Sequence, residues 1–325
     1  MFRFRRASAL TAVLTTSLLV SLAACGDDST SDSTLPAATA PAATEPAATA
    51  APATDASVAT TDEPAAGVPS KIISLSPTAT EILFAIGAGD QVIAVDDQSN
   101  YPADAEAKMT DLSGFTPNLE SIAAYEPDLV VHDGTTDLAS QLDGLGIANW
   151  IGSAATGFDD IYTQIEQLGA ATGHVGEAAE LVGQMQSDIE AAVAAGPGAD
   201  AALTFYHELD PTFFSVTSNT FIGQVYALFG LVNIADTAEG GSDYPQLSAE
   251  FIISQNPDLV FLADTKCCGE SVETVSARPG WDVVTAVVNG SVIVIDDDIA
   301  SRWGPRVVEL VEIISAAASA ASVAA

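Results

Sequence analysis

Three histidines and three cysteines occur in 325 residues, few enough that the position of each bears on chemistry. His132 and His207 each end a β-branched or aromatic run, "PDLVVH" and "ALTFYH", and Cys267 and Cys268 are adjacent just after a third, "PDLVFLAD". Imidazole nitrogen and thiolate sulfur are ligands for soft or borderline ions, so His132, His207, Cys267 and Cys268 make one candidate transition-metal site. No close-spaced His/Cys motif accompanies them. The cysteine pair can instead stay as thiols or close into a vicinal disulfide, favoured outside the cytoplasm although adjacent residues depart from ordinary disulfide geometry. For catalysis the motifs are missing: there is no G-x-S-x-G, H-E-x-x-H, P-loop or glycine-rich dinucleotide fingerprint, so an enzyme is not expected and an exported hydrolase is only the competing class. "SPTATE", residues 76–81, could offer helix-terminal N–H groups to an anion.

The elements that must position these residues follow a repeating pattern. From Lys71 onward, short apolar runs ("KIISLS", "QVIAV", "PDLVVHD", "IANWIG") alternate with helical stretches, which predicts βαβ units around a parallel sheet. Ser76-Pro77 and Thr78-x-x-Glu81 predict a proline near the first helix start and a capping box, with Gly87 as the stop. A long helical stretch over 174–195 ends at "GPG", after which the pattern restarts with "ALTFYH". "EPDLVV" at 126–131 returns as "NPDLVF" at 256–261, and each has a glutamate seven residues before its proline, Glu120 and Glu250. The fold class is therefore α/β: two similar lobes with parallel-sheet cores, bridged by one long helix, with a cleft between them.

Ligands of open α/β sheets collect outside the carboxyl ends of the strands. Those ends carry Asp96, Asp97 and Gln98; His132 and Asp133; His207 and Glu208; Asp264, Lys266 and the cysteines; and Asp296 to Asp298. Tyr101, Phe115, Tyr244 and Trp303 stand nearby in the loops.

Outside this region the composition changes. Arg3, Arg5 and Arg6 precede twenty uncharged residues, 7–26, ending in "LAAC" before Gly26, the layout of a secretory signal. The stretch is just long enough to cross a bilayer, but Thr11, Thr15, Thr16, Ser17 and Ser21 dilute it. This end resembles a bacterial lipoprotein signal, with Cys25 as the residue to be lipidated. Residues 26–69 are almost entirely Ala, Thr, Pro, Ser, Asp and Glu; such a segment cannot bury enough apolar surface to order itself and would span roughly 35–40 Å as a flexible chain. Beyond the signal only Lys71, Lys108, Lys266, Arg278, Arg302 and Arg306 stand against 44 acids. That excludes nucleic acid as a partner, because phosphate neutralisation needs clustered cations; the acidic surface itself fits equally an adaptation to salt.

"KIISLSPTATEILFAIGAGDQVIAVDDQSNYP", "LSGFTPNLESIAAYEPDLVV" and "RPGWDVVTAVVNGSVIVIDDD" resemble the substrate-binding proteins of ABC importers for ferric siderophores, haem and cobalamin, over about residues 71–314. The resemblance implies a signal over 1–24, a tether over 25–69, an N-terminal lobe over 70–172, a bridging helix over 173–197 and a C-terminal lobe over 198–325, both lobes being Rossmann-like. It implies an extracytoplasmic, lipid-anchored monomer, no intrinsic cofactor, and an iron chelate or cobalamin as cargo. Gln98, Phe115, Asp133, Tyr244, Asp298 and Arg302 match the ligand positions, and the strand-end and loop reading adds His207 and Trp303. Relatives that bind cobalamin often have Trp or Tyr where this chain has Gln98, Phe115 and Asp133. Arg302 suits an anionic siderophore or a porphyrin propionate; its alternative role is a salt bridge to Asp297 or Asp298. Glu120 and Glu250 match the docking acids that meet arginines of a two-fold permease dimer; otherwise they are helix-start acids favoured by the macrodipole.

Overall fold

The computed structural model describes residues 67–198 and 202–324, all within one compact unit. Cys25, the signal and nearly all of the tether lie outside the described residues. In chain order the strands are β1 (Ile72–Leu75), β2 (Val92–Val95), β3 (Leu129–His132), β4 (Ala148–Ile151), β5 (Thr204–Glu208), β6 (Val232–Asn233), β7 (Leu259–Leu262) and β8 (Val292–Val294). The α-helices are α1 (Pro77–Ala85), α2 (Ala103–Glu106), α3 (Leu119–Ala123), α4 (Leu138–Leu145), α5 (Phe158–Thr172), α6 (Val175–Ala195), α7 (Phe221–Ala227), α8 (Ala249–Gln255), α9 (Thr265–Cys268), α10 (Val272–Ser276), α11 (Thr285–Val288), α12 (Asp297–Ser301) and α13 (Val307–Ala324). All strands pair in parallel, in two sheets of the same order, β2-β1-β3-β4 and β6-β5-β7-β8. The central strands IISL, LVVH and LVFL are buried at every position, as strands covered on both faces must be.

The doubled "PDLV" unit has a structural job in this arrangement. Asp128 accepts hydrogen bonds at Oδ2 from the Ser70 and Lys71 amides (2.9 and 3.0 Å) and from the Ser70 hydroxyl. Asp258 accepts at its own Oδ2 from the Thr204 amide and hydroxyl, both at 2.8 Å. Each aspartate thus satisfies amides at the start of the neighbouring central strand, pinning β1 against β3 and β5 against β7. The residues before the prolines, Glu126 and Asn256, both have left-handed backbone, φ 51° and 49°.

α6 is 21 residues long and packs against α5 and α13. Ser315 on α13 donates to the Ala192 carbonyl at 2.6 Å. One hydrophobic core runs through both lobes along these helices, from Ile72 and Leu83 through Ile165 and Met185 to Phe205, Phe261 and Leu310; a smaller cluster fills the far side of each sheet. The first helix differs from the capping-box expectation. Its N-cap is Ser76, whose hydroxyl accepts from Ala79 N, and Glu81 does not reach back to the helix start but is buried and paired elsewhere.

At the carboxyl end of the second sheet, Glu208 and Asp264 are fully buried rather than facing the cleft. Arg278 holds Glu208 with two parallel bonds of 2.6 Å, touches Glu270 at 2.9 Å, and lies over the rings of Trp281 and Phe213. No protein donor reaches either Asp264 oxygen. Burial, then the charge of Glu208, pushes the Asp264 carboxyl up to about 7, so below that pH it is held largely as the acid. Its folded value lies above the unfolded one, so its stabilising contribution is complete below about pH 4 and is lost as pH rises to about 7. His207, lowered to about 4 by burial, works in the opposite sense, losing stability as pH falls from about 6.5 to 4. Asn mimics the protonated acid. Urea unfolding of Asp264→Asn and the parent should therefore give a stability difference that grows in the variant's favour between about pH 4 and 7, by at most about 1.4 kcal/mol per pH unit, and is flat above; a difference independent of pH would show that Asp264 is ionised throughout.

Candidate functional site

A cavity of about 360 Å³ opens between the lobes. Strand ends build its N-terminal wall: Ser76, Pro77 and Thr78 follow β1, Gln98 follows β2, Asp133 and Thr135 follow β3, and Gly152 to Ala155 follow β4. Phe115 and Gln164 complete that wall, and the C-terminal lobe contributes Asp298, Ser301, Arg302 and Trp303. The lining is fixed by local bonds. Asp133 Oδ1 accepts from the Thr135 amide and hydroxyl at 2.9 and 2.8 Å, and Gln164 donates to the Ser153 carbonyl at 2.8 Å. Trp303 stands edge-on to Phe221, 5.0 Å between centroids. Phe115 remains 73% exposed, an apolar plate on the cavity rim.

Arg302 reaches the cavity with both Nη groups of its guanidinium already engaged. Nη1 donates to Glu81 Oε1 (3.1 Å) and Asn100 Oδ1 (2.8 Å), and Nη2 donates to the Gln98 carbonyl (3.0 Å) and Asp298 Oδ1 (2.7 Å). These four bonds account for all four Nη hydrogens. Glu81 also takes Arg306, through Nε at 2.8 Å and through Nη2, and Arg306 lies 4.2 Å over the Tyr101 ring. Lys266 bridges Asp296 and Asp298 at 2.6 and 2.8 Å. Burial by itself would raise the Asp298 carboxyl, but the Lys266 hydrogen bond and the Arg302 charge outweigh it and hold the group below the ordinary carboxylate range. The network joins α1 and the loop after β2 in one lobe to the segment around α12 in the other.

A family model described as periplasmic binding protein matches residues 72–299. The chain belongs to the periplasmic binding protein family. Among its relatives is an ABC transporter substrate-binding lipoprotein of Bacillus subtilis, YvrC, 30% identical over 253 residues that cover 75% of this chain and 78% of that protein. A cobalamin-binding protein of Halobacterium salinarum is 30% identical over 250 residues, covering 74% and 67%. The crystal structure of the vitamin B12 binding protein BtuF of Vibrio cholerae superposes with a TM-score of 0.62 at 25% identity, covering 78% of this chain and 98% of that one. The family consists of binding proteins of the two-lobed α/β class, in keeping with the parallel sheets described above.

In this periplasmic binding protein, six of the expected ligand residues line one cavity: Gln98, Phe115, Asp133, Asp298, Arg302 and Trp303. Two expectations are corrected. His207 is fully buried on β5, a strand covered on both faces, and its Nδ1 pairs with the Tyr226 hydroxyl at 2.8 Å; it stays neutral beneath the sheet. Tyr244 is 52% exposed in the loop before α8 and is not part of the cavity wall. The four-residue metal site does not assemble either. His132 is buried with Nδ1 accepting from Gly134 N, Cys267 and Cys268 are bonded to each other, and no group of three metal-ligating side chains exists among the described residues. Of the two expected partners of Arg302, Asp298 is bonded, whereas Asp297 instead accepts from the Thr265, Lys266 and Cys267 amides that begin α9.

Sequence reading missed Thr135, Ser153, Gln164 and Ser301 as wall residues, and Glu81 as the partner behind Arg302. Thr135 and Ser153 follow strand ends and were within reach of the carboxyl-end rule; Gln164 and Ser301 sit on helices and carry no such signal.

Phe115 depends on a close approach beside it. A Cβ on Gly114 would lie 2.5 Å from the Leu75 carbonyl and 3.2 Å from Asp96 Oδ2, so a side chain there must push the loop off the end of β1. Gly114→Ala should weaken ligand binding about tenfold or more by calorimetry and also lower the melting temperature, since the clash costs about 1–3 kcal/mol; unaltered affinity in the folded variant would show that this loop does not shape the site.

Proposed function

We propose that the protein is an extracytoplasmic, lipid-anchored receptor that captures a corrinoid of the cobalamin class and delivers it to an ABC permease. The observation that carries the ligand choice is the chemistry of the cavity wall. Hydroxyls and amides of Ser76, Thr78, Gln98, Thr135, Ser153, Gln164 and Ser301 surround an aromatic rim, while the Nη groups of Arg302 are fully committed to protein partners. A neutral macrocycle fringed with amide side chains matches such a wall by paired donors and acceptors. The names of the Halobacterium and Vibrio relatives support the same class, and outweigh the absence of Trp or Tyr at Gln98, Phe115 and Asp133. At about 360 Å³ the cavity is at the small end for small-molecule sites, so a corrinoid would be enclosed only in part and gripped along one edge. A second reading is a cationic ferric chelate, favoured by Asp133, a cavity carboxylate with no cationic partner among the described residues.

Docking is assigned to Glu120 and Glu250. Each is exposed at the second position of a helix, α3 or α8, behind an N-cap side chain, Asn118 or Ser248, that accepts from the residue three ahead. Each helix runs back to the start of the next strand, so both glutamates sit at the carboxyl edge of their sheets, the edge at which the cavity lies. A pair of carboxylates repeated on pseudo-equivalent lobes suits two symmetry-related arginine pockets. The anchor is assigned to Cys25, in keeping with the lipoprotein signal and the name of the Bacillus relative.

Calorimetry with cyanocobalamin tests the ligand: binding in the micromolar range or tighter is expected, and stabilisation only by a cationic ferric hydroxamate would favour the second reading. Glu120→Ala with Glu250→Ala should abolish uptake in cells while leaving ligand affinity unchanged, each single change impairing transport in part, because an unpaired interfacial partner typically costs about 2–5 kcal/mol. Normal uptake by the double variant would return both residues to ordinary helix starts. Cys25→Ser should release the protein from the membrane fraction; unchanged fractionation would point to another anchor.

A further inference from the structure

Resting on the cavity as the ligand site, we propose that Glu81 is a specificity-determining residue that makes the receptor discriminate against anionic chelates by withholding the Nη groups of Arg302 from the ligand. Arg302 is the cation of the cavity wall, and an arginine in a cleft is ordinarily read as an anchor for carboxylate or phosphate. Here its position on the wall and its availability are separate matters. All four Nη hydrogens point to protein acceptors, two of which, Glu81 and Asp298, are carboxylates. Glu81 lies outside the cavity, only 2% exposed, on the far side of the guanidinium, so it acts through Arg302 and does not touch the ligand.

The charge count makes the consequence specific. Lys266, Arg302 and Arg306 are held by Glu81, Asp296 and Asp298, three cations against three carboxylates. With that network neutral, the remaining formal charge on the wall is that of Asp133, so an incoming ligand meets a slightly negative site. An anionic ligand must either accept that field or take Arg302 from a buried carboxylate, and stripping a partner from a buried ion pair is strongly unfavourable. A neutral ligand incurs neither penalty.

Neutralising Glu81 without changing its shape reverses the balance. Glu81→Gln keeps an acceptor for Arg302 or Arg306 and leaves three cations facing two carboxylates, with the surplus positive charge at the cavity wall. Arg306→Gln does the reverse, and the double variant restores neutrality. The test is binding of two probes to the folded protein: cyanocobalamin, which is neutral, and haemin, which carries two propionates. Relative to the parent, Glu81→Gln should bind haemin about tenfold more tightly, with the gain shrinking as salt is raised, while cyanocobalamin affinity stays within about threefold. Arg306→Gln should shift haemin the other way, and the double variant should return it to the parent value. A merely structural role for Glu81 would weaken both probes together, which would overturn the proposal, as would a haemin gain that survives in the double variant. If Glu81→Gln fails to fold, Arg306→Gln alone decides: a haemin affinity that is unchanged or raised overturns it. Failure of the parent to bind cyanocobalamin, with the charge-ordered haemin response intact, would remove the corrinoid reading and leave this one standing.

Discussion

Glu81 sits nearly without solvent between two arginines from the other lobe, and much of the molecule's behaviour depends on that meeting of charges. A buried carboxylate with no partner would be prohibitive, and two buried guanidiniums would be worse. The trio is tolerable only when α1 of the first lobe and the segment between α12 and α13 of the second come together with their bonds complete. Such networks add little net stability over a well-packed apolar core, but breaking one partner is costly. The consequence is a single preferred seating of one lobe on the other. The continuous apolar core along α5, α6 and α13 reinforces it from behind.

The seating also decides which groups face the cleft. Because Arg302 is used to join the lobes, the wall that remains is a set of hydroxyls, amides and aromatic rims backed by a neutral ion network. A site preformed in this way would lose less ordering entropy on binding.

The second lobe contains a comparable economy of charge with a different outcome. Glu208 and Glu270 share one arginine, Arg278, while Asp264, buried beside them with no protein donor, has its carboxyl pushed up to about 7 by burial. The chain has few cations to recruit: six basic residues beyond the signal face 44 acids. Arg278 and Arg302 each serve two carboxylates, and Arg302 and Arg306 converge on the one buried carboxylate of Glu81.

Sequence alone determined the features that are encoded locally. Apolar runs of four or five residues separated by helical stretches define parallel strands, Ser76-Pro77 starts the first helix, the stretch over 174–195 makes the bridge, and the return of "PDLV" after 130 residues reveals two lobes. The carboxyl-end rule likewise led to Gln98, Asp133 and Asp298, because in an open parallel sheet the ligand edge follows from strand direction. Tertiary structure alone decided which of the candidates face one another. Glu81 and Arg302 are 221 residues apart, and no local pattern distinguishes an arginine free for a ligand from one already claimed across the lobe boundary. His207 ends a strand just as His132 does, yet its role depends on Tyr226 covering it from a helix that only the packing of the sheet brings near. Local propensity reads periods along the chain; charge neutralisation and burial depend on distances of a few ångströms between segments remote in sequence, and those distances exist only once both lobes have packed.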